Sequence, residues 1–351
     1  MAYLPTDSLF SMSHIWLRSA LAISAAIAVA AGLIPTVAHA APTLTQIQAQ
    51  VRQLQEDAAS AAEGAQGAKV QLATLTKTLN GIKQEAAAQG ETVDALKKSL
   101  NTIAIEQYKA GGLSQGLELL FSANPELYLS SAGSLESITR AKSAQLRKFE
   151  AAQQRLNATT LTVNDKVALV KAAQKRFAQK SALAKAKLAS AEKILAKLKK
   201  KDRARLAALA AAQEDADQAS SRAFASSTGK ISGRAGVAVK YALAQIGDRY
   251  VFGASGTTKW DCSGLTMRAY QAAGVSLPHY SAAQSRYGKK VSYSSARPGD
   301  LLFYGSPISH VAIYLGGGKM VHAPRPGSRV KVESNAATAL GRKRLVAVRR
   351  F

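Results

Sequence analysis

A seven-residue repeat of apolar side chains constrains this chain most, because it continues without interruption over nine heptads. The first heptad position is occupied by Leu44, Val51, Ala58, Ala65, Leu72, Leu79, Ala86, Val93 and Leu100. The position three residues later is apolar in every heptad but one, where Gln89 stands. Such a repeat is typical of a coiled-coil helix, and nine heptads would form a rod about 100 Å long. The alanine-rich section that contains Gly64 and Gly67 should be its weakest part, because glycine disfavours helix.

The rest of the helical region is divided by residues that break helices. Glycines and Pro125 predict a break near 111–139, and a second helical run follows to Asp215. We therefore expect residues 41–215 to form a coiled-coil region, either an antiparallel hairpin or a parallel dimer. Residues 216–233 lose the periodicity and are rich in serine, so they are predicted to be a linker.

The first forty residues have the pattern of an export signal. Arg18 precedes an apolar run over residues 20–34, and Ala38-His39-Ala40 fits a small-residue cleavage site. The run is shorter than the roughly 20 residues that a membrane-spanning helix needs. We predict a cleaved signal peptide over residues 1–40, with an uncleaved N-terminal anchor as the alternative. Cleavage would leave the protein secreted, in a bacterial cell envelope.

The chain is strongly basic, with 47 Lys and Arg against 22 Asp and Glu and a formal net charge of +25. Nucleic acid is the usual partner of such charge, but an exported protein would rarely meet it. Anionic wall polymers and anionic lipid are the polyanions of an envelope, and no nucleic-acid partner is expected. Residues 171–205 mix Lys and Arg with Ala and Leu, so this stretch is either a solvated helix face or an anion-binding one.

Beyond residue 233 the sequence changes character, and Gly, Tyr and Pro become frequent. Runs with strand character are residues 300–304, 310–315, 319–322 and 345–348. Three consecutive glycines between the middle two runs predict a hairpin turn. A helical pattern followed by antiparallel strands predicts an α+β domain over residues 234–351, which is a normal domain size.

This domain contains the only cysteine of the chain, so no intramolecular disulfide and no four-cysteine zinc site can form. Cys262 begins a predicted helix, whose N-terminal dipole favours the nucleophilic thiolate. His310 and His322 stand at the two ends of the predicted hairpin, where both rings could face one cleft with the thiol. A Cys–His catalytic site is one interpretation; a buried structural cysteine and a three-ligand zinc site are the others.

Five segments, in this order, resemble the NlpC-type cell-wall cysteine peptidases. They are Tyr250-Val-Phe-Gly-Ala-Ser-Gly, Asp261-Cys-Ser-Gly-Leu, Arg297-Pro-Gly-Asp-Leu-Leu-Phe-Tyr, Ser309-His-Val-Ala-Ile-Tyr-Leu and Val321-His-Ala-Pro. The similarity covers residues 234–351. It implies a permuted papain-like fold in which Cys262 is the nucleophile, His310 the base and His322 the orienting group. Tyr250 would lie near the oxyanion, and neither a metal nor a cofactor is implied.

The resemblance also implies substrate contacts. Asp261 and Ser263 match positions that in some members touch the amino end of the substrate, although Asp261 is equally placed to cap the following helix. The family motif Arg-x-Ser-x-x-Gln appears here as His279-Tyr-Ser281-Ala-Ala-Gln. Since His279 replaces the arginine, we expect His279 and Ser281 to affect substrate preference at the cleft rim.

The activity implied is that of a secreted peptidoglycan D,L-endopeptidase. Such an enzyme cleaves stem peptides between D-glutamate and a diamino acid, in wall remodelling or daughter-cell separation. An amidase or acyltransferase on the same fold is the alternative enzyme. An adaptor of the division machinery with an inactive domain is the alternative from another functional class. The intact set of Tyr250, Cys262, His310 and His322 argues against the adaptor.

A second, weaker resemblance lies in the helical region. Gln107-Tyr-Lys-Ala-Gly-Gly, followed by an apolar run, looks like wall hydrolases with N-terminal coiled coils. In those proteins the coiled coil docks a transporter-like cell-division membrane complex and can cover the active site. We therefore expect residues 41–215 to restrain and position the enzyme.

Overall fold

The computed structural model describes residues 42–109, 125–229 and 231–351. The predicted signal peptide and the apolar run after Gly112 lie outside these residues. None of the helices in the described ranges is both long and apolar enough to cross a membrane.

Two long helices, α1 (Leu44–Lys109) and α2 (Pro125–Ala196), pack side by side and are called the arm below. At one end Lys142 Nζ donates to Gln107 Oε1 at 3.0 Å. Towards the other end Lys187 Nζ lies 3.6 Å from Asp57 Oδ2. Residue numbers therefore rise along one helix and fall along the other. Of the two arrangements that the sequence left open, the structure has the antiparallel hairpin within one chain.

The predicted heptad stripe of α1 is the buried side of this helix. Ala58, Ala65, Leu79 and Val93 are buried, and the other first-position residues are half-buried. A seven-residue repeat produces this pattern because it keeps one stripe turned towards a partner helix. Glu63 is also buried, although it stands five residues after a stripe position, on the side away from α2. This section of α1 therefore has a second partner.

The helix boundaries differ from the prediction at two places. Helix α2 already begins at Pro125, so the break is narrower than 111–139. Proline is well tolerated there, because a first helical residue has no hydrogen-bonded N–H to lose. The linker predicted for residues 216–233 is wrong for most of its length, since α3 (Lys200–Ser227) extends through it.

Helix α3 is ordered by contacts with the C-terminal domain. Ser221 Oγ accepts a hydrogen bond from the N–H of Val332 at 2.9 Å, and Lys331 Nζ donates to Asp217 Oδ2 at 2.7 Å. The Ser221 hydroxyl also donates to the Asp217 carbonyl one turn earlier, so serine is satisfied without ending the helix. Serine content alone therefore misidentified a docked helix as a linker.

The C-terminal domain follows α3 and combines short helices with a mixed set of strands. Its helices are α4 (Gly233–Leu243), α5 (Cys262–Ala272) and α6 (Ser281–Gln284). Its strands are β1 (Arg249–Tyr250), β2 (Lys259–Trp260), β3 (Lys289–Val291), β4 (Leu301–Tyr304), β5 (His310–Gly316), β6 (Lys319–His322), β7 (Lys331–Glu333) and β8 (Leu345–Arg350). Strands β1 and β2 form a small parallel pair. The other six form one antiparallel sheet in the order β3-β8-β4-β5-β6-β7.

One face of this sheet packs against α4 and α5, where Leu265 and Tyr270 meet Phe303 and Ile313 in the main core. The opposite face buries a second apolar cluster around Tyr304. Because both faces are covered, all four residues of β4 are buried. A long helical region followed by an α+β domain with a papain-like helix-on-sheet arrangement confirms the predicted fold class.

Strands β5 and β6 form the predicted hairpin, and it brings two histidines together. Gly316, Gly317 and Gly318 all have positive φ angles, which glycine adopts without strain. Ile313 pairs with Val321, so the ends of the two strands that carry the histidines lie side by side. Side chains alternate between faces along a strand, and this register places both rings on the same face of the sheet as Tyr304, whose ring centre lies 6.0 Å from that of His310.

Candidate active site

Cys262 is the first residue of α5 and is buried. The preceding Asp261 caps the helix, because its Oδ1 accepts a hydrogen bond from the Gly264 N–H at 2.6 Å. The N–H of Val311, which follows His310 on β5, donates to the cysteine sulfur. The thiol therefore contacts the strand that begins with His310.

The protonation of this thiol differs from what the helix dipole alone predicts. Burial raises the pKa of the Cys262 thiol well above its usual range, and the charges of Glu63 and Asp261 raise it further. The Val311 N–H and Lys343 act in the opposite direction. The neutral thiol is therefore favoured in this arrangement, and a base must take its proton before it can attack.

A pair of buried histidines can supply such a base. His310 Nε2 lies 2.9 Å from His322 Nδ1, and both rings are at most 2% exposed. Burial lowers the pKa of each imidazole well below its usual range, and His322 lowers that of His310 further. Both rings are therefore neutral at neutral pH. When the proton of His310 is assigned to Nε2, where it bonds to His322, Nδ1 of His310 is left as an acceptor.

Tyr250 ends β1 and is buried in the same region. Burial raises the pKa of its hydroxyl well above the usual range, and the nearby Cys262 and Asp261 contribute to the shift. The hydroxyl therefore keeps its proton and remains a hydrogen-bond donor beside the thiol.

The four predicted substrate-binding residues surround the start of α5. His279 Nε2 lies 2.8 Å from Asp261 Oδ1, and Ser263 Oγ lies 3.3 Å from the same oxygen. Ser281 is the first residue of α6 and its N–H points into this group. His279 is only 16% exposed, so it lies inside the cleft rather than at an open rim. The helix-capping role of Asp261 is present in the structure.

One residue at this site was not predicted from the sequence. Glu63 of the arm inserts its carboxylate into the cleft and is 3% exposed. It accepts hydrogen bonds from the Ser281 N–H and from Ser263 Oγ at 3.0 Å, and it lies 3.7 Å from the Cys262 sulfur. Burial raises the pKa of Glu63, and the neighbouring Asp261 raises it further. The arm thus covers the nucleophile with an acidic side chain.

The sequence contained a signal for this contact. Residues 58–68 have small side chains on all faces of the helix and not only along the heptad stripe. A helix needs small residues outside its stripe where a second surface approaches closely. We interpreted this section as the weakest part of the coiled coil, whereas the structure shows it to be the part that docks.

Gly67 and Gln66 complete the docking surface. Gln66 Nε2 lies 3.0 Å from His279 Nδ1. A Cβ atom on Gly67 would lie 2.5 Å from the ring of Tyr280, which is closer than carbon atoms can approach. A side chain at this position would therefore have to displace the ring of Tyr280, which explains glycine here although it weakens the helix.

We predict that Gly67→Ala loosens the arm. The overlap with Tyr280 should cost more than the gain of about 1 kcal/mol in helix propensity. Alkylation of Cys262 in the full chain should become several-fold faster, as followed by mass spectrometry. Gly81→Ala is the matched control, because its Cβ would meet no atom within 4 Å and should leave the rate unchanged. Equal rates for the two variants would contradict the prediction.

The described residues show no metal centre. In that part of the chain, no three or more His, Cys, Asp or Glu side chains are grouped as a metal ion would require. The two histidines bond to each other, and the thiol instead contacts Glu63 and the N–H of Val311.

Comparison with known proteins agrees with this geometry. The sequence profile of the NlpC/P60 family matches residues 247–350. A probable endopeptidase of Mycobacterium tuberculosis is 45% identical over 94 residues, which cover 27% of this chain and 24% of that protein. Peptidoglycan endopeptidase RipA of the same species is 47% identical over 79 residues, 22% of this chain and 17% of RipA. The chain therefore spans a quarter or less of the length of these relatives.

A solved structure covers the same region. The crystal structure of the NlpC/p60 domain of peptidoglycan hydrolase SagA is 39% identical, with a TM-score of 0.31, over 33% of this chain and 98% of that one. The range matched by the family profile contains the residues that form the α5 and β5–β6 site. The C-terminal domain of this chain, preceded by its long helical region, is an NlpC/P60 domain.

Proposed function

We propose that this protein is a cysteine peptidase that hydrolyses the stem peptides of peptidoglycan. The observation that carries the proposal is the 2.9 Å hydrogen bond between His310 and His322 beside the buried Cys262. Relatives named as endopeptidases support it. The bond cleaved joins D-glutamate, through its side-chain carboxyl, to a diamino acid, and the enzyme works as a secreted protein in the cell envelope.

The mechanism follows from the protonation states of the site. His310 Nδ1 takes the proton of Cys262, and the thiolate attacks the amide carbonyl carbon. The N–H of Cys262 and the hydroxyl of Tyr250 stabilise the negative oxygen that develops. His310 then returns the proton to the leaving amine, and water hydrolyses the thioester with His310 again as base. His322 keeps His310 in the required tautomer by accepting its Nε2 proton.

The group around Asp261 binds the acyl half of the substrate. Asp261, Ser263, His279 and Ser281 offer a carboxylate, a hydroxyl, an imidazole and a backbone N–H on one side of the thiol. These groups can bind both an amino group and a carboxylate, which are the charged groups of a stem peptide.

The arm restrains this enzyme until it is displaced. Support comes from Glu63 and Gln66, which occupy the hydrogen-bonding groups that the substrate needs. A partner that pulls on the arm would open the cleft, and a transporter-like membrane complex of cell division is the partner we propose. The basic face of α2 would keep the protein near anionic wall polymers.

The decisive experiment is digestion of purified cell-wall sacculi with residues 200–351, which retain α3 and its contacts with the domain. Released peptides ending at D-glutamate, absent with Cys262→Ala, are the expected result in mass spectra. Cleavage at the sugar–alanine amide would instead indicate an amidase. No cysteine-dependent product from a folded domain would favour the adaptor.

A further inference from the structure

A cationic cavity lies on the histidine side of the active site, where the arm meets strands β5 to β7. The domain lines it with charged and ring-bearing side chains, namely His310, His322, Arg325, Lys331, Glu333 and Lys343. The arm contributes Arg52 and Glu56, which pair with each other at 3.2 Å. The cavity thus includes both rings of the histidine pair, and none of its lining residues belongs to the Asp261 group.

Two buried polar atoms of this lining have no hydrogen-bond partner among the described residues: Nε2 of His322 and Nε of Arg325. The ring of His322 is 1% exposed, and its nearest carboxylate oxygen, on Glu333, is 4.0 Å away. That oxygen is bound by Lys331 Nζ at 2.9 Å. With the shared proton assigned to Nε2 of His310, as the role of Nδ1 as base requires, Nδ1 of His322 accepts it and Nε2 of His322 carries a proton and is a donor. Buried donors are rarely left unpaired, so an acceptor from outside the domain belongs here.

The charges of the lining favour a negative acceptor. Lys343 and Arg325 form no ion pair with a described carboxylate, whereas Lys331 is paired with both Asp217 and Glu333. Burial lowers the pKa of Lys343 and of Arg325, which shows that both positive charges are poorly solvated. When the arm moves away, Arg52 and Glu56 leave with it. The charged side chains of the lining are then three cations and one carboxylate, namely Arg325, Lys331, Lys343 and Glu333.

The arm itself places two carboxylates in the covered cleft. Glu56 lines the cationic cavity and Glu63 occupies the Ser263 and Ser281 group. Seven residues are two helical turns, about 10.5 Å, so both side chains extend from the same face of α1. Glu63 satisfies its group, whereas Glu56 is paired with Arg52 and leaves the donors of His322 and Arg325 unpaired.

We propose that Arg325, Lys343 and the Nε2 donor of His322 form a subsite for a free carboxylate on the leaving half of the substrate. The subsite deepens the proposed peptidase function and rests on it. It selects diamino acids whose carboxylate is free over those in which it is a carboxamide, because only the former satisfies the unpaired cations.

The test compares two synthetic γ-D-glutamyl dipeptides on the full chain, one with a free carboxylate on the diamino acid and one with a carboxamide. The ratio of their kcat/KM values is independent of how often the arm opens, because opening affects both peptides equally. A preference for the carboxylate of at least about tenfold is expected, falling to near one in Lys343→Met and Arg325→Gln. Lys343→Arg should keep the preference, and thermal unfolding should show that all variants fold.

Lys289→Met is the matched control, since Lys289 is exposed on β3 at the far edge of the sheet and should leave the ratio unchanged. A wild-type ratio near one, or a ratio that survives both substitutions, would overturn the subsite.

If neither peptide is cleaved by the full chain or by its Glu63→Ala variant, in which the residue that covers the thiol is removed, the peptidase proposal fails and the subsite is decided by protection of Cys262 from alkylation. Diaminopimelate, but not its diamide, should then slow alkylation, and this protection should be lost in Lys343→Met. If neither compound protects Cys262, or if diaminopimelate and its diamide protect it equally, the subsite is refuted independently of the peptidase proposal.

Discussion

Replacing His310 with alanine will lower kcat/KM for stem-peptide hydrolysis by about 10³-fold or more. In the covered site, burial and the carboxylates of Glu63 and Asp261 raise the pKa of the Cys262 thiol; without the arm, Asp261 still lies beside it, so the thiol needs a base to form the nucleophile. We propose His310 as that base and as the group that protonates the leaving amine, so its loss should affect both steps. The rates should be measured with residues 200–351 and a synthetic stem peptide.

His322→Ala is the comparison that tests the roles of the two rings. It removes the acceptor of the His310 Nε2 proton but leaves the base in place, so a loss of about 10- to 100-fold is expected. A His310→Ala enzyme within tenfold of wild type, or one more active than His322→Ala, would contradict the assignment of His310 as the base.

Replacing Glu63 with alanine will expose the active site of the full chain. The change removes the carboxylate that accepts hydrogen bonds from the Ser281 N–H and the Ser263 hydroxyl. Buried donors that are left unpaired cost about 2 kcal/mol, so the equilibrium should shift about 30-fold towards the open arm. Cys262 is the only cysteine of the chain, so its modification by a thiol reagent measures opening directly. The modification rate should rise by about 30-fold.

Glu91→Ala is the matched control for this experiment, because Glu91 is an exposed carboxylate on the same helix. It should leave the modification rate of Cys262 unchanged. A Glu63→Ala rate equal to that of Glu91→Ala would show that the Glu63 carboxylate does not hold the arm.

The same contact makes opening dependent on pH. The pKa of Glu63 is raised from 4.5 in the docked arm, by burial and then by Asp261, so the docked state binds the proton more tightly than the free arm does. Docking is therefore strongest below pH 4.5 and weakens as the pH rises through the raised pKa. The rate at which a disulfide reagent that reacts in acid modifies Cys262 can follow the opening of the arm over this whole pH range. Glu63→Gln cannot ionise, so the ratio of wild-type to Glu63→Gln rates should increase with pH; a constant ratio would refute the coupling.

Short-range patterns made the grouping of Cys262, His310 and His322 predictable. Cys262 stands in a local motif whose helix is capped by the adjacent Asp261, and the two histidines are joined by a hairpin with a glycine turn. In each case the residues that create the geometry lie within a dozen positions of those that use it. The same is true of the heptad repeat of α1, whose buried stripe is a property of its own sequence.

Residue composition was less reliable where a segment could either dock or remain free. Residues 216–227 have the serine content of a linker, but Ser221 accepts a hydrogen bond from Val332 of β7. No local pattern distinguishes a serine that faces solvent from one that meets a strand more than a hundred residues later. The helix was therefore missed, because its stability comes from the domain against which it packs.

By itself, the sequence determined the long helices, the α+β domain and the residues of the thiol and histidine pair, because local periodicity and short motifs specify them. Only the tertiary structure decided that the helices form a hairpin within one chain and that Glu63 covers Cys262. The Glu63 contacts join residues about 200 positions apart, and Glu63 faces away from the buried stripe that the heptad pattern predicts. The heptad repeat predicts the face of α1 that packs against α2, and it contains no information about the face that packs against the C-terminal domain.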